Sequence, residues 1–367
     1  MIILAIVLLA GSFVLSAFLT AVTKNLAARA GFLAHPTGDR HHRTAVPLGG
    51  GIAIFAALAI IIFAAIIAIK FLAAPGHLGP LAESAGVDPA DFLAKIDQLA
   101  IVLISIIVLF ALGLADDVKH LGPFFKLIIQ FTVAFIAAFF GDIRVELFIE
   151  SRIITSVLSA FWIVLIINAF NFLDNMDGLS AGIAVIATCI LFTAAALSGQ
   201  VFVGSLALVF TGTLLGFLVF NFPPAKIFAG DAGSFVIGFV VALLTLRTTY
   251  YHQDLSGPRY PVFLPLLVMA VPLYDFISVT LLRIKQGKSP FIGDTQHFSH
   301  RLKRRGLTDT KTVLTLYLAT LCTGLGATFL YQVNLAGAIL IFFQTIMILA
   351  IIAVLETTAN NNDKISR

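Results

Sequence analysis

The sequence predicts an all-α integral membrane protein of about eleven transmembrane helices, and three observations carry that expectation. First, the 367 residues are 59% hydrophobic and 11% charged, with a mean hydropathy of +1.03, where a soluble domain carries roughly a quarter charged residues. Second, apolar runs of about 20 residues, the length a helix needs to cross a hydrocarbon core about 30 Å thick, recur along the whole chain. Third, lysine and arginine gather on alternate connections, as the positive-inside rule requires.

The first run, 2–22, has no basic residue before it and meets its first cation at Lys24, so it reads as a spanning helix, not a cleaved leader. Ten more follow, near 49–72, 99–115, 124–140, 153–172, 179–198, 201–220, 232–249, 260–283, 312–331 and 335–356. The links near 116–123 and 173–178 are short. The 34 phenylalanines, scattered through the runs, are expected against lipid or neighbouring helices. Cys189 and Cys322 lie far apart inside apolar runs, which excludes a disulfide framework and leaves no metal-ligand spacing. With no repeat and no low-complexity tract beyond the polar tail "ETTANNNDKISR", residues 1–367 form one polytopic domain, and nothing points to nucleic acid as a partner.

Placing the N-terminus outside puts 17 of the 23 lysines and arginines on inner connections, leaving Lys70, Lys95, Arg144, Arg152, Arg247 and Arg259 outside. The C-terminus then lies in the cytoplasm, and the protein is a multi-pass protein of the cell (inner) membrane. The acidic segment 73–98, with Glu83, Asp88, Asp91 and Asp97, becomes an external loop without legible chemistry.

Five polar stretches then fall on the cytoplasmic side. In "HPTGDRHHRTAVPLGGGIAIF" (35–55), Pro36 and Pro47 stiffen the loop, and Gly49, Gly50 and Gly51 either allow close helix packing or leave N–H groups free for a phosphate. In "LGLADDVKHLGPFFK" (112–126), the adjacent carboxylates Asp116 and Asp117 repel each other and are costly near hydrocarbon unless a cation or metal sits beside them, or they simply end the helix. Lys119 and Lys126 offset their charge or hold a phosphate. In "NAFNFLDNMDGLSAG" (168–182), Asn168, Asn171 and Asp174 share one face if the helix continues through them, with Asp177 extending the stripe until Gly178 breaks it. In "FNFPPAKIFAGDAGSFVIGF" (220–239), Asn221 precedes a Pro-Pro turn, and Asp231 either N-caps the next helix or suits a Mg²⁺ that keeps several waters, two roles that are compatible. In "SPFIGDTQHFSHRLKRRG" (289–306), His297 and His300 precede four cations and fit anion binding better than zinc. Carboxylates, amides, histidines, glycines and cations at one membrane face are the apparatus of phosphoryl transfer, and no P-loop or kinase set is present.

The set "DD" at 116–117, "NAFNFLDNMDGL" at 168–179, "NFPPAKIFAGDAGS" at 221–234 and "HFSH" at 297–300 resembles the polyprenyl-phosphate N-acetylhexosamine-1-phosphate transferases of glycosyltransferase family 4, in order and over nearly the whole chain. The resemblance implies ten or eleven helices, transfer of a sugar-1-phosphate from a UDP-N-acetylhexosamine to a polyprenyl phosphate, release of UMP, Mg²⁺ (or Mn²⁺ in its place) as cofactor, and a homodimer as a common assembly. It further implies that Asp231 binds the metal with Asn171 beside it. Asp116 and Asp117 stand near the acceptor phosphate, one of them as base in a mechanism left open between direct attack and a covalent intermediate. Lys126 contacts phosphate, Asp177 and Phe228 hold uracil, and His297 and His300 contact substrate. Asp174 joins the catalytic set and Asn221 the substrate-binding set without a fixed role. Two departures stand out: Ser299 replaces the central histidine of an H-x-H-H pattern, and Asn175 replaces a glycine. The span count and the H-x-x-H form favour an N-acetylglucosamine-type donor over the muramoyl-pentapeptide transferase of peptidoglycan synthesis. A cation-coupled transporter is the alternative from another class, disfavoured because its acids would sit at the midplane of broken helices.

Overall fold

Long runs of Leu, Ile, Ala and Phe can satisfy their backbone in hydrocarbon only by helix formation, and the computed structural model builds those helices. It describes residues 2–34, 45–77, 86, 88–145, 149–248, 260–289 and 296–357. In chain order the helices are α1 (Ile2–Ala30), α2 (Gly50–Ala68), α3 (Pro89–Ala94), α4 (Ile96–Lys119), α5 (Pro123–Phe140), α6 (Arg152–Leu173), α7 (Leu179–Leu197), α8 (Val201–Asn221), α9 (Gly230–Arg247), α10 (Leu264–Val268), α11 (Ala270–Lys285), α12 (Phe298–Arg304), α13 (Asp309–Thr328) and α14 (Leu335–Thr357). Among the described residues ten helices are long and apolar enough to cross a membrane, or eleven if one bent pair of helices counts as a single span. This is a multi-pass, all-α membrane protein.

That bent pair corrects the expectation of one continuous run over 260–283. Tyr260–Val268 and Ala270–Lys285 meet at 65° around Met269. Pro272 has no N–H to offer Val268, so the ladder is already interrupted where the chain bends. The run expected at 99–115 extends from Ile96 to Lys119, bringing Asp97 into its first turn and both Asp116 and Asp117 into its last turns. The segment expected as a loop contains α3, N-capped by Asp88 through Ala90 N at 2.9 Å. Glu83 and the stretch 35–44, with Pro36, lie outside the described residues. The phenylalanines divide between the two expected settings, with Phe170, Phe210, Phe217, Phe235 and Phe239 in the core and Phe18, Phe63, Phe161 and Phe343 on the lipid-facing surface.

Helix α9 is the axis of the bundle: every residue from Ala232 to Thr245 is buried, as a helix apolar on all sides requires. Small residues bring its neighbours into backbone contact, the usual device where lipid removes the hydrophobic drive for helix association. A Cβ added to Gly51 of α2 would lie 2.3 Å from Gly233 N, one on Gly113 of α4 2.5 Å from Ala232 Cα, and one on Gly238 2.5 Å from Ile167 Cα in α6. The same device joins α1 to α8, where Ser16 Oγ donates to Thr213 O at 2.6 Å and a Cβ on Gly216 would meet Phe13 O at 2.4 Å. Two crossings, at Gly51 and Gly113, lie directly behind the first turn of α9.

Gly113→Val should therefore cost about 1–3 kcal/mol through overpacking and lower the melting temperature in detergent. Gly11→Val, where no atom lies within 4 Å of the added Cβ, should leave it within a degree or two.

Candidate active site

The buried start of α9 leaves N–H groups that need acceptors. They find them on another helix. Asp117 Oδ1 accepts from Asp231 N at 2.8 Å and Oδ2 from Ala232 N at 3.2 Å. Gly230, at φ +68°, is required here, because a Cβ would stand 2.5 Å from Asp117 Oδ2. With capping done from α4, the Asp231 side chain does not cap its own helix, contrary to one of the two roles its position allows. Instead Oδ1 accepts from Asn171 Nδ2 at 2.9 Å, and Asn171 also reaches Ser234 Oγ at 3.0 Å.

Asp116, one residue before the capping group, points elsewhere around α4. His120, in the left-handed region at φ 49°, ends that helix, and Pro123 opens α5. The tight turn brings Leu121 N to Asp116 Oδ1 at 2.6 Å and Lys126 Nζ to Oδ2 at 2.7 Å. Lys126 Nζ also stands 3.5 Å from Asp231 Oδ2. One ammonium thus bridges two carboxylates from different helices, each of which it stabilises against the other. The sequence treated Asp116 and Asp117 as a pair, but the structure separates them: Asp116 faces Lys126, whereas Asp117 gives both oxygens to the α9 backbone.

Helix α6 ends at Leu173 with Asp174 as its C-cap, close to the expected end at 172, so the condition for a helical stripe through Asp177 is not met. Gly178, at φ 72°, turns the chain into α7. Asn168 points away from the acids, donating to Gln130 Oε1 and Val164 O, both at 2.8 Å. Asp177 Oδ2 accepts from Ala225 N at 2.8 Å. Asn221 ties the same two loops: Gly178 N donates to its Oδ1 at 3.0 Å and its Nδ2 donates to Ile227 O at 2.9 Å. Expected among the substrate-binding residues, Asn221 has both ends of its amide on the protein's own backbone. Phe228 is half-buried, and its backbone joins Pro47 O at 3.0 Å and Gly50 N at 2.9 Å, while Gly51 N donates to Ala229 O at 3.0 Å. Of the two readings for Gly49, Gly50 and Gly51, the structure therefore selects close packing; the amides of Gly50 and Gly51 are bonded, not free for phosphate.

The histidines enter from α12. His297 Nδ1 stands 2.8 Å from Asp275 Oδ2, and Phe298 N donates to Asp275 Oδ1 at 2.9 Å. The ring of Phe172, next to Asn171, meets His297 edge-on at 5.4 Å, and His300 lies 6.3 Å from His297 between centroids. Ser299 Oγ donates to Asn175 Oδ1 at 2.6 Å, so the two residues that depart from the resembled pattern touch each other. Sequence reasoning missed Asp275, although a lone acid within "AVPLYDFISV" was a signal, since an intramembrane carboxylate needs a partner. It also missed Arg283, buried with its guanidinium 5.0 Å over the Phe172 ring.

Of the eleven residues anticipated from sequence, Asp116, Asp117, Lys126, Asn171 and Asp231 form one connected cluster, Asp177 and Asn221 tie the neighbouring loops, His297 and His300 stand together beside Asp275, Asp174 ends α6 and Phe228 precedes α9. Among the described residues no group of three or more His, Cys, Asp or Glu is arranged to hold a metal. A cation here would use Asp231, with Asn171 adjacent, and draw its other ligands from phosphate and water, which is the habit of Mg²⁺.

Removing Lys126 leaves two acids facing each other, so Lys126→Met should cost about 3 kcal/mol, the low end for breaking a buried pair, because its side chain is 23% exposed. Asp117→Ala should cost about 1 kcal/mol, the usual loss of a cap. Thermal unfolding ranks the two, and the reverse order would contradict this reading.

A glycosyl transferase family 4 model matches residues 99–249, which include Asp116, Asn171 and Asp231. The chain is 30% identical over 353 residues to a Bacillus subtilis (strain 168) protein named a probable undecaprenyl-phosphate N-acetylglucosaminyl 1-phosphate transferase, covering 94% of this chain and 90% of that one. It is 31% identical over 332 residues to a decaprenyl-phosphate N-acetylglucosaminephosphotransferase of Mycobacterium tuberculosis (strain ATCC 25618 / H37Rv), covering 83% and 77% of the two chains. An undecaprenyl-phosphate alpha-N-acetylglucosaminyl 1-phosphate transferase of Thermotoga maritima is 29% identical over 293 residues, 80% of each chain. Identity of 30% over 90% of the Bacillus relative, together with the family match across the helices that carry the acids, establishes that the chain belongs to glycosyl transferase family 4.

Proposed function

We propose that this protein transfers N-acetylglucosamine-1-phosphate from UDP-N-acetylglucosamine to a polyprenyl phosphate such as undecaprenyl phosphate, releasing UMP and priming a cell-envelope polysaccharide. The observation that carries the reading is Lys126 held between Asp116 and Asp231, at 2.7 and 3.5 Å, where phosphate oxygens of donor and acceptor need cations and a group able to take a proton. The names of the relatives support the sugar and weigh against the muramoyl-pentapeptide donor. Asp116, Asp117, Asp174 and Asp231 stand at helix ends, which weighs against a transporter, although Asp275 lies inside a bent span. The positive-inside distribution favours the cytoplasmic face of the cell membrane for the site, with the chain embedded singly or as a homodimer.

In the reaction an oxygen of the polyprenyl phosphate, or of an enzyme nucleophile in the two-step alternative, attacks the sugar-bearing phosphorus of the UDP-sugar, and the bond to UMP breaks. Lys126 draws phosphate oxygens toward the acids and offsets their repulsion. Asp116, free of capping duty, is placed to accept a proton. Asp117 fixes the first turn of α9 and so the position of Asp231. Asp174 borders the same loop, Asp177 and Phe228 form the uracil end, and the histidines face substrate. Mg²⁺, or Mn²⁺, held at Asp231 beside Asn171 supplies charge neutralisation at the pyrophosphate.

Purified protein with undecaprenyl phosphate and Mg²⁺ should release UMP from UDP-N-acetylglucosamine, and not from its galacto epimer or from UDP-N-acetylmuramoyl-pentapeptide. Release from another of these donors alone would replace the sugar; silence with all three, in folded protein, would overturn the reaction. Asp231→Ala should lose at least about 10²-fold in rate. Phe228→Ala should raise the KM for the nucleotide sugar about tenfold, as expected for one lost stacking contact.

A further inference from the structure

Asp275 has no exposed surface, yet it sits in mid-helix on α11, in an otherwise apolar segment. A carboxylate so placed is costly unless both oxygens are satisfied. Both are: one by His297 Nδ1 and one by Phe298 N, at 2.8 and 2.9 Å. A carboxylate facing Nδ1 holds the ring proton on that nitrogen, and the edge contact with Phe172 fixes the ring plane against the helix end that also carries Asn171. Among the described residues nothing bonds His297 Nε2, and the side chain is 7% exposed.

We propose that Asp275 is a positioning residue that keeps the His297 proton on Nδ1 and thereby leaves Nε2 as an acceptor for a substrate hydroxyl or for a proton. The proposal rests on the transferase reading, in which His297 faces substrate. The chemistry follows the pattern in which a buried carboxylate sets the tautomer and orientation of an imidazole that itself meets the reacting groups. A purely structural Asp275 would only hold α12 through Phe298 N. Asp275→Asn separates the roles, since its remaining oxygen still accepts from Phe298 N while its amide nitrogen cannot accept from Nδ1.

Solid-state NMR of ¹⁵N-histidine-labelled protein in bilayers, with His297 assigned through its loss in His297→Asn, reads the tautomer without any turnover. The expected result is a protonated, hydrogen-bonded Nδ1 that loses its proton to Nε2 in Asp275→Asn; a wild-type ring protonated on Nε2 alone would overturn the proposal. In UMP release, Asp275→Asn should lower kcat about 10–100-fold with little change in KM for the UDP-sugar, and should add no further loss in a His297→Asn background. An equal loss in both backgrounds, or no loss in either, would reduce Asp275 to a structural tie. Wild-type protein silent with every donor would sink the transferase reading while leaving the tautomer measurement to stand by itself.

Discussion

The structure depends on how the buried first turn of α9 is capped. A helix start enclosed by other helices carries unsatisfied N–H groups and a partial positive charge that water cannot meet. The carboxylate that answers them is Asp117, delivered from α4 across the small-residue contact at Gly113 and Gly230. Because that cap comes from outside, the first-turn acid Asp231 is released to face Asn171 and Lys126. One interaction therefore joins two helices, ends the strain of a buried terminus and frees the group on which the proposed chemistry turns.

Around this point the charges are arranged so that each acid has a different duty. Asp116 is neutralised by Lys126, Asp117 by backbone N–H groups, and Asp231 by a share of both an amide and the ammonium. Carboxylates this close would otherwise repel one another in a medium of low polarity. The loops opposite are set by bonds to backbone: Asn221 and Asp177 clamp the chain after α6 to the turn before α9, and the Tyr317 hydroxyl closes on Gly178 O. Farther out, Glu356 receives Tyr274 and Arg301 at 2.7 and 3.1 Å, anchoring α12 to the last helix. The histidine segment is thus held by its own acid, Asp275, and by the last helix, and meets the end of α6 through Phe172 and Asn175.

The spanning helices were legible because their cause, the length of an uninterrupted apolar run, is itself a property of sequence. The break at Met269 was less legible: Pro265 and Pro272 were visible, but a proline can kink a span or merely sit in one, and sequence alone does not set the 65° bend. The end of α6 was legible, since the run expected at 153–172 stops within a residue of Leu173; only the stripe that supposed a longer helix fails, because Gly178 reverses the chain. The glycines at 49–51 allowed two outcomes that only the partner strand at Phe228 could decide. Nothing in "DD" says which acid caps and which pairs, since neighbours on a helix differ by about 100° and the answer lies on α9 and α5. Asp275 was readable as a lone acid in an apolar run, but its partner is 22 residues away.

The central claim is that capping by Asp117 leaves Asp231 free to hold a divalent cation. Titrating Mn²⁺ into wild type, Asp231→Asn and Asp275→Asn, with electron paramagnetic resonance reading the bound ion, tests it most directly. The account predicts one site per chain in the wild type, lost or weakened at least tenfold in Asp231→Asn and retained in Asp275→Asn. Undiminished binding in Asp231→Asn would place the cation elsewhere and contradict the account.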